Sequence, residues 1–110
     1  KPLGDAVDAA QKSYRKIGFP DEWRLHHQGG PILGPERLFL VQPGDRTKIV
    51  PGMVLAWNPT VQGSKFEDTV LVRKDGTLEN LTLTRTWPSV EVTVAGKSFR
   101  VPVLKVRSKP

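Results

Sequence analysis

Cysteine is absent from this sequence, and its absence removes several kinds of chemistry at once. Without thiols the chain forms no disulfide framework, no thiolate zinc site and no cysteine nucleophile. Apolar runs are only a few residues long, far below the roughly 18 needed to cross a bilayer, and no signal-peptide pattern opens the chain. We therefore expect a protein with no membrane partner, and a cytoplasmic location fits this composition.

Long helices are also poorly supported, because the 110 residues include ten glycines and ten prolines. Such a composition is typical of many turns and short strands. The hydrophobic fraction of 37% excludes a disordered chain, and the length suits one domain over residues 1–110 rather than two independent cores. Because the chain opens with Lys1 rather than methionine, we expect that it was cut from something longer.

The net charge of +6 is dispersed along the chain. Clustered lysine and arginine would favour a nucleic-acid partner through release of phosphate counterions. Here the 17 basic residues are spread between Lys1 and Lys109, acidic residues lie near most of them, and no basic motif is interleaved with aromatics. The sequence therefore predicts against nucleic-acid binding, which is kept only as a third alternative.

One helix is predicted, over residues 5–17, with Asp5 capping its start and Gly18 ending it. Its apolar residues recur at helical spacing, which places them on one face. These residues are Val7, Ala10, Tyr14 and Ile17. Polar side chains occupy the opposite face, so the helix is expected to pack on a sheet.

Strands are predicted for much of the remaining chain. Residues 53–57 and 69–72 are interpreted as an antiparallel hairpin that is joined through residues 62–65. A turn at residues 74–76 then leads into a threonine-rich strand or an irregular segment.

A further hairpin is predicted over residues 88–106. If Gly96 and Lys97 form a two-residue turn, Val94 lies opposite Phe99, and two valine pairs continue the same register. These pairs are Val92 with Val101 and Val90 with Val103. Pro102 cannot donate to a ladder, so it marks a sheet edge or the end of pairing.

Two adjacent histidines are the first candidates for chemistry. His26 and His27 precede Gly29 and Gly30, so imidazoles stand beside a backbone that a ligand can approach closely. Neighbouring side chains on a strand point to opposite faces, so at most one of the two would serve a given site. The alternative is a structural or exposed pair with no catalytic role.

Two carboxylates, Glu67 and Asp68, are the second candidates, because they lead directly into an apolar strand. A charge that enters a buried segment is costly unless it is paired or bound to metal, which favours a functional role. The alternative is a solvated hairpin mouth with ion pairs to Lys65 or Arg73. Asn58, which precedes a proline, is interpreted as a turn residue.

Three segments together resemble a known family. Residues 26–30 (HHQGG), 52–59 (GMVLAWNP) and 66–72 (FEDTVLV) are similar to the carboxy-terminal half of the catalytic domain in the creatinase, Xaa-Pro aminopeptidase and methionine aminopeptidase superfamily. The similarity extends from the helix near Asp5 to about Leu83, and EDTVLV is its most specific part. It implies half of a pita-bread fold, with the last hairpin outside the common core.

The resemblance also implies a set of site residues. Metallopeptidases of this superfamily hold two metal ions with two aspartates, one histidine and two glutamates, and the ions activate the attacking water. His27 resembles the metal histidine and Glu67 the bridging glutamate, while the other glutamate position is Asn58, a weaker third ligand. The aspartates belong to the preceding half of the domain, and residues 34–37 stand where the family has a second histidine.

These assignments carry expectations for cofactors and catalysis. We expect no tight divalent metal in this chain, whereas manganese, cobalt or zinc is possible in the parent protein. Creatinase-like members work without metal and use a histidine as acid or base, with carboxylates that orient the substrate. By that resemblance, His26 or His27 acts together with Glu67.

Taken together, the sequence predicts an α+β protein that is half of a pita-bread fold. One amphipathic helix packs on a curved, mainly antiparallel sheet, with an extra carboxy-terminal hairpin. The predicted function is that of a fragment of a Xaa-Pro peptidase or creatinase-like hydrolase, inert on its own. The alternative is a non-enzymatic binding module of the same fold that has lost its metal ligands.

Three partners are expected on this interpretation. They are the missing amino-terminal half of the domain, a peptide or small amide substrate in the parent, and a second copy of the chain. A homodimer is expected because loss of one half would uncover apolar surface around residues 53–57 and 69–72.

Overall fold

A single α-helix near the amino terminus is followed by short strands in the computed structural model, which describes residues 1–103. Helix α1 comprises Gly4–Lys16, and a 3-10 helix comprises Glu22–Arg24. The strands are β1 (Gly29–Leu33), β2 (Glu36–Arg37), β3 (Val54–Trp57), β4 (Thr60–Val61), β5 (Ser64–Lys65), β6 (Asp68–Val72), β7 (Leu78–Asn80), β8 (Ser89–Val94) and β9 (Lys97–Pro102). The predicted α+β class is confirmed. No helix within the described range is long and apolar enough to cross a membrane.

Five strands form one sheet in the spatial order β2-β1-β3-β6-β7, and each neighbouring pair is antiparallel. The adjacent strands β3 and β6 confirm the hairpin predicted from the two apolar runs, with Leu55 opposite Val70. The connection between these strands forms the small hairpin β4–β5, which contains the predicted turn over residues 62–65. The sequence thus predicts which strands pair at the centre of the sheet.

The hydrophobic core lies between α1 and the sheet. Leu3 and Val7 contribute from the helical side, and Leu55 and Val72 contribute from the strands. All four side chains are at most 4% exposed. Complete burial of such a side chain contributes about 1.5–3 kcal/mol. This contact therefore anchors the helix on the sheet.

The carboxy end of α1 lies where Gly18 predicts it. Gly18 has φ +89°, its N–H donates to the Arg15 carbonyl at 3.2 Å, and the Phe19 N–H donates to the Tyr14 carbonyl at 2.9 Å. This is a Schellman cap, which favours glycine in the left-handed conformation. Tyr14 is buried as predicted, but Ile17 is 59% exposed. Its predicted place on the packed face is wrong because Ile17, although it lies with Ala10 and Tyr14, borders an open cleft rather than the core.

The amino end of α1 is capped differently from the prediction. The helix begins at Gly4, one residue earlier than predicted, and no side chain caps it. Instead the N–H groups of Leu3 and Gly4 donate to the carbonyls of Thr47 and Asp45, at 2.8 and 3.0 Å. A side chain at Gly4 would lie 2.7 Å from the Asp45 backbone. Asp5 therefore lies in the first turn rather than at the cap.

The carboxy-terminal hairpin is formed by β8 and β9, but its register differs from the prediction by two residues. Val92 pairs with Phe99, because the turn lies at Ala95 and Gly96, one residue earlier than predicted. Both turn residues have positive φ, +50° and +75°, as in a type I′ turn whose twist matches that of the strands. A shift of two residues keeps every side chain on its predicted face. The predicted extension over residues 104–106 lies outside the described residues.

Candidate functional site

The two histidines lie in an irregular segment between the 3-10 helix and β1. Their ring centroids are 4.5 Å apart with planes at 31°, so the expectation that they point to opposite faces is wrong. That expectation assumed a strand, and the strand begins only at Gly29. The Nδ1 of His26 donates to the His27 carbonyl at 2.7 Å, which leaves Nε2 as the other ring nitrogen for a ligand. His26 is half-buried and His27 is exposed.

Asn58 is placed beside the histidine segment by the pairing of β1 with β3. Its N–H donates to the Gln28 carbonyl at 2.9 Å, so the ladder continues one residue past each strand. Gln28, and not His27, therefore lies directly opposite Asn58. The interpretation of Asn58 as a simple turn residue is incomplete, because this side chain is only 3% exposed.

The buried amides of Gln28 and Asn58 each keep one oxygen without a partner among the described residues. Gln28 is 5% exposed, and its Nε2 donates to the carbonyls of Trp23 and His26 at 3.1 and 2.9 Å. The amide oxygen of Gln28, Oε1, has no partner within residues 1–103. A buried acceptor left unpartnered costs about 1–3 kcal/mol. This end of the sheet therefore carries two acceptors that favour a hydrogen-bond donor.

Glu67 is placed at the same end of the sheet by the pairing of β3 with β6. The N–H of Phe66 donates to the Pro59 carbonyl at 3.0 Å, which extends the register so that Glu67 lies opposite Asn58. The Glu67 carboxylate lies 3.0 Å from the Lys65 ammonium, and both groups are about half exposed. The hairpin-mouth alternative thus describes Glu67 in this chain.

Asp68 and Arg73 are engaged elsewhere. Asp68 accepts a hydrogen bond from the Thr82 hydroxyl at 2.6 Å. Arg73 forms its ion pair with Glu79 at 2.8 Å rather than with the carboxylates that precede β6. Of the two carboxylates Glu67 and Asp68, Glu67 is the one whose charge affects the pKa of His27.

The pKa of His27 is lowered from its ordinary value of 6.5, first by partial desolvation and then by the positive charges of His26, Arg37 and Lys65. The negative charge of Glu67 opposes these effects. His27 is consequently neutral at pH 7 and able to accept a proton. Although His27 and Glu67 are 40 residues apart in the numbering, the strand pairing brings their segments to the same end of the sheet.

Arg37 was not identified by sequence reasoning. It lies in β2, where its Nη1 donates to the carbonyls of Gly30 and Ala56, each at 3.3 Å. The available signal was the Gly34 and Pro35 turn, which folds β2 back beside β1 and so brings Arg37 next to the glycine pair. Arg37 adds a fixed positive charge to the site.

A cavity of about 320 Å³ opens beside the histidines. It is lined by Trp23, Arg24, His26, His27, Gln28 and Gln42, among others. Its volume is at the lower end of the range for small-molecule sites. The cavity is more polar than the other clefts, and its imidazoles could exchange protons with a ligand.

The candidate metal ligands among residues 1–103 do not gather into a metal centre. Within residues 1–103 no three His, Asp or Glu side chains form a group that could hold an ion. The Glu67 carboxylate is already paired with Lys65, and Asn58 offers only a neutral oxygen.

Comparison with protein-family models, with curated proteins and with solved structures gives no match for this chain.

Proposed function

We propose that this chain is the carboxy-terminal half of a pita-bread domain from a Xaa-Pro peptidase or creatinase-like hydrolase, and that it is inert on its own. One observation supports the proposal most directly. The segments around His27, Asn58 and Glu67 are far apart in the sequence, yet they meet at one end of the adjacent strands β1, β3 and β6. The resemblance draws its site residues from these three segments, and the pairing brings the segments together, with Gln28 rather than His27 directly opposite Asn58.

His27 is the proposed acid–base group. Its lowered pKa keeps the imidazole neutral at pH 7, so that it can take a proton from an attacking water. Glu67 then stabilises the imidazolium that forms, since its charge favours the protonated ring. His26 lies against His27 and can share the proton-transfer role.

A peptide or small amide is the proposed substrate. The buried side-chain oxygens of Gln28 and Asn58 have no hydrogen-bond partner within residues 1–103, and an amide N–H is a donor of matching chemistry. The remaining half of the domain would supply the rest of the site, including the acidic residues that this chain lacks. A divalent metal in the parent would depend on those residues.

A non-enzymatic binding module is the second candidate. It is favoured by Asn58, where the family has a carboxylate, and by the Lys65 ion pair that engages Glu67. In this alternative the same cavity binds a peptide without cleaving it.

Hydrolysis of an Xaa-Pro dipeptide separates the two candidates. We expect no activity from the 110-residue chain and measurable turnover from a longer natural chain that includes the upstream half. In that longer chain H27A or E67Q should lower kcat by about 100-fold or more, the usual contribution of acid–base catalysis. The exposed helix variant K12Q is the matched control and should keep full activity.

Two results would contradict parts of this proposal, the hydrolase activity and the role of His27. Calorimetric binding of the dipeptide with no turnover would establish the binding module. An H27A variant that hydrolyses the dipeptide as fast as the parent would contradict the proposed role of His27.

A further inference from the structure

A second cleft separates the carboxy-terminal hairpin from the sheet. It has a volume of about 590 Å³, within the range of small-molecule sites. Val72 and Leu78 line it from the sheet, and Phe99 lines it from β9. Leu78 is 54% exposed and Phe99 44% exposed, so two large apolar side chains stand open to a ligand.

Three lysines from separate segments also line this cleft. Lys1 precedes α1, Lys74 lies in the turn before β7, and Lys97 begins β9. No ion pair involves any of the three within residues 1–103. No aspartate or glutamate is among the residues that line the cleft. The cleft therefore combines an apolar wall with unbalanced positive charge.

The carboxylates nearest in sequence to Lys74 are occupied by other groups. Asp75 accepts hydrogen bonds from the Thr77 N–H at 2.9 Å and from its hydroxyl at 2.6 Å. Glu79 is paired with Arg73 at 2.8 Å. Within residues 1–103 neither carboxylate forms an ion pair with the lysines, so no paired carboxylate has to be displaced when an anion enters the cleft.

The apolar wall continues away from the lysines. A neighbouring cavity of about 370 Å³ shares Leu78 and Phe99 with the cleft and extends to Val70, Leu83 and Val101. Asp68 also borders this cavity, where the Thr82 hydroxyl binds its carboxylate at 2.6 Å. The two spaces share Leu78 and Phe99 and form a groove with lysines at one end and a mainly apolar wall at the other, where Asn80 and Arg100 also border it.

We propose that this groove binds a small anionic amphiphile, namely an aliphatic carboxylate. The carboxylate head lies among Lys1, Lys74 and Lys97, and the aliphatic tail passes between Leu78 and Phe99 toward Val101. A second copy of this chain is a poor occupant, because a twofold contact through this groove would bring its own Lys74 and Lys97 against the same lysines. The inference is independent of the histidine cavity and of the proposed hydrolase function.

Calorimetric titration with dodecanoate, below its micelle concentration, tests the proposal. We expect saturable binding of one equivalent, weakened by added salt because the head group is held by charge. Dodecanol, which has the same tail and no charge, should bind at least about fivefold more weakly. The double variant K74Q/K97Q should lose about fivefold in dodecanoate affinity, since surface ion pairs are individually modest.

The variant K12Q/K16Q is the matched control, because it removes the same charge from the exposed face of α1. It should bind dodecanoate as the parent chain does. Amide NMR shifts on titration should centre on residues near Leu78 and Phe99. Equal affinity for dodecanol, equal loss in the control variant, or shifts confined to the histidine cavity would each overturn the proposal.

Discussion

The ionisation of His27 depends on charges that lie far from it in the sequence. Desolvation and the cations Arg37 and Lys65 lower its pKa, while Glu67 raises it. We expect E67Q to lower the pKa of His27 further, and K65Q to raise it. NMR titration of the His27 ring protons measures both changes. A pKa that rises in E67Q would contradict the placement of Glu67 beside this histidine.

The same shift links folding stability to pH. Because folding lowers the pKa of His27 from 6.5, the unfolded chain binds the proton more readily. The free energy of unfolding should therefore decrease as the pH falls from 6.5 toward the lower folded value, and the effect should be small because His27 is exposed. Urea unfolding at neutral and mildly acidic pH measures this decrease. The H27N variant should reduce it, and an unchanged pH dependence in that variant would contradict the assignment.

Gly29 occupies a position that no side chain can share. It has φ +120°, and a Cβ atom there would collide with the backbone carbonyl of Ala56 in the neighbouring strand. We expect G29A to lower the free energy of unfolding by about 3 kcal/mol, because both strain and the collision oppose folding. The control is G34A, also at positive φ but in open space, which should cost only about 1 kcal/mol. Urea denaturation compares the two, and equal losses would show that the collision is relieved cheaply.

At the level of secondary structure, the turn of the β8–β9 hairpin provides a direct test of its register. A type I′ turn favours asparagine before glycine, and Ala95 has φ +50° at that first position. We expect A95N to raise the free energy of unfolding by about 0.5 kcal/mol. In the register predicted from the sequence, residue 95 lies outside the turn, so A95N would bring no gain. Thermal unfolding of both chains distinguishes the two registers.

The elements that the sequence predicts correctly are those whose signals are local. Gly18 ends the helix through its own left-handed conformation, and the apolar runs of β3 and β6 pair through a short connection. The sequence does not predict the cap at the amino end of α1, because the N–H groups there donate to carbonyls of the remote loop at Asp45 and Thr47. The predicted hairpin register is wrong by two residues, because such a shift keeps both faces unchanged and the apolar pattern fits either register.

The sequence predicts three residues of the candidate site but not the interactions that those residues make. Resemblance supplied His27, Asn58 and Glu67, whereas their chemistry depends on partners from other strands. Strand pairing brings Arg37 and the buried amide of Gln28 to the site, and the periodicity of the sequence does not specify that pairing. The stacking of His26 on His27 likewise follows from an irregular segment that resembles a strand in sequence.

At the level of the whole molecule, the exposed apolar surface lies away from the place where the sequence predicts it. The residues of strands β3 and β6 are buried or partly buried, and no large side chain in them is among the exposed hydrophobics. Instead a cluster of exposed apolar side chains follows the β2 edge of the sheet. It consists of Leu33 (71% exposed), Leu38 (56%), Leu40 (40%) and Phe39 (39%). The outer side of β2 has no strand partner within residues 1–103.

The edge strand β2 consists only of Glu36 and Arg37, so the apolar surface comes from the residues that flank it, and an exposed apolar patch favours association with another chain. We expect the 110-residue chain to form a twofold dimer through the β2 edge, where the same patch meets itself. Sedimentation equilibrium over a wide concentration range should show the mass rising from the monomer value of 12.2 kDa toward twice that value. The variant L38K should remain monomeric because it places a charge in the interface. Leu25 is 82% exposed outside this cluster, so L25K is the matched control and should still dimerise. A constant monomer mass at the highest concentration would show that the chain does not dimerise. Equal disruption by L25K would place the interface elsewhere, because only contact at the β2 edge makes a charge at residue 38 more damaging to the dimer than a charge at residue 25.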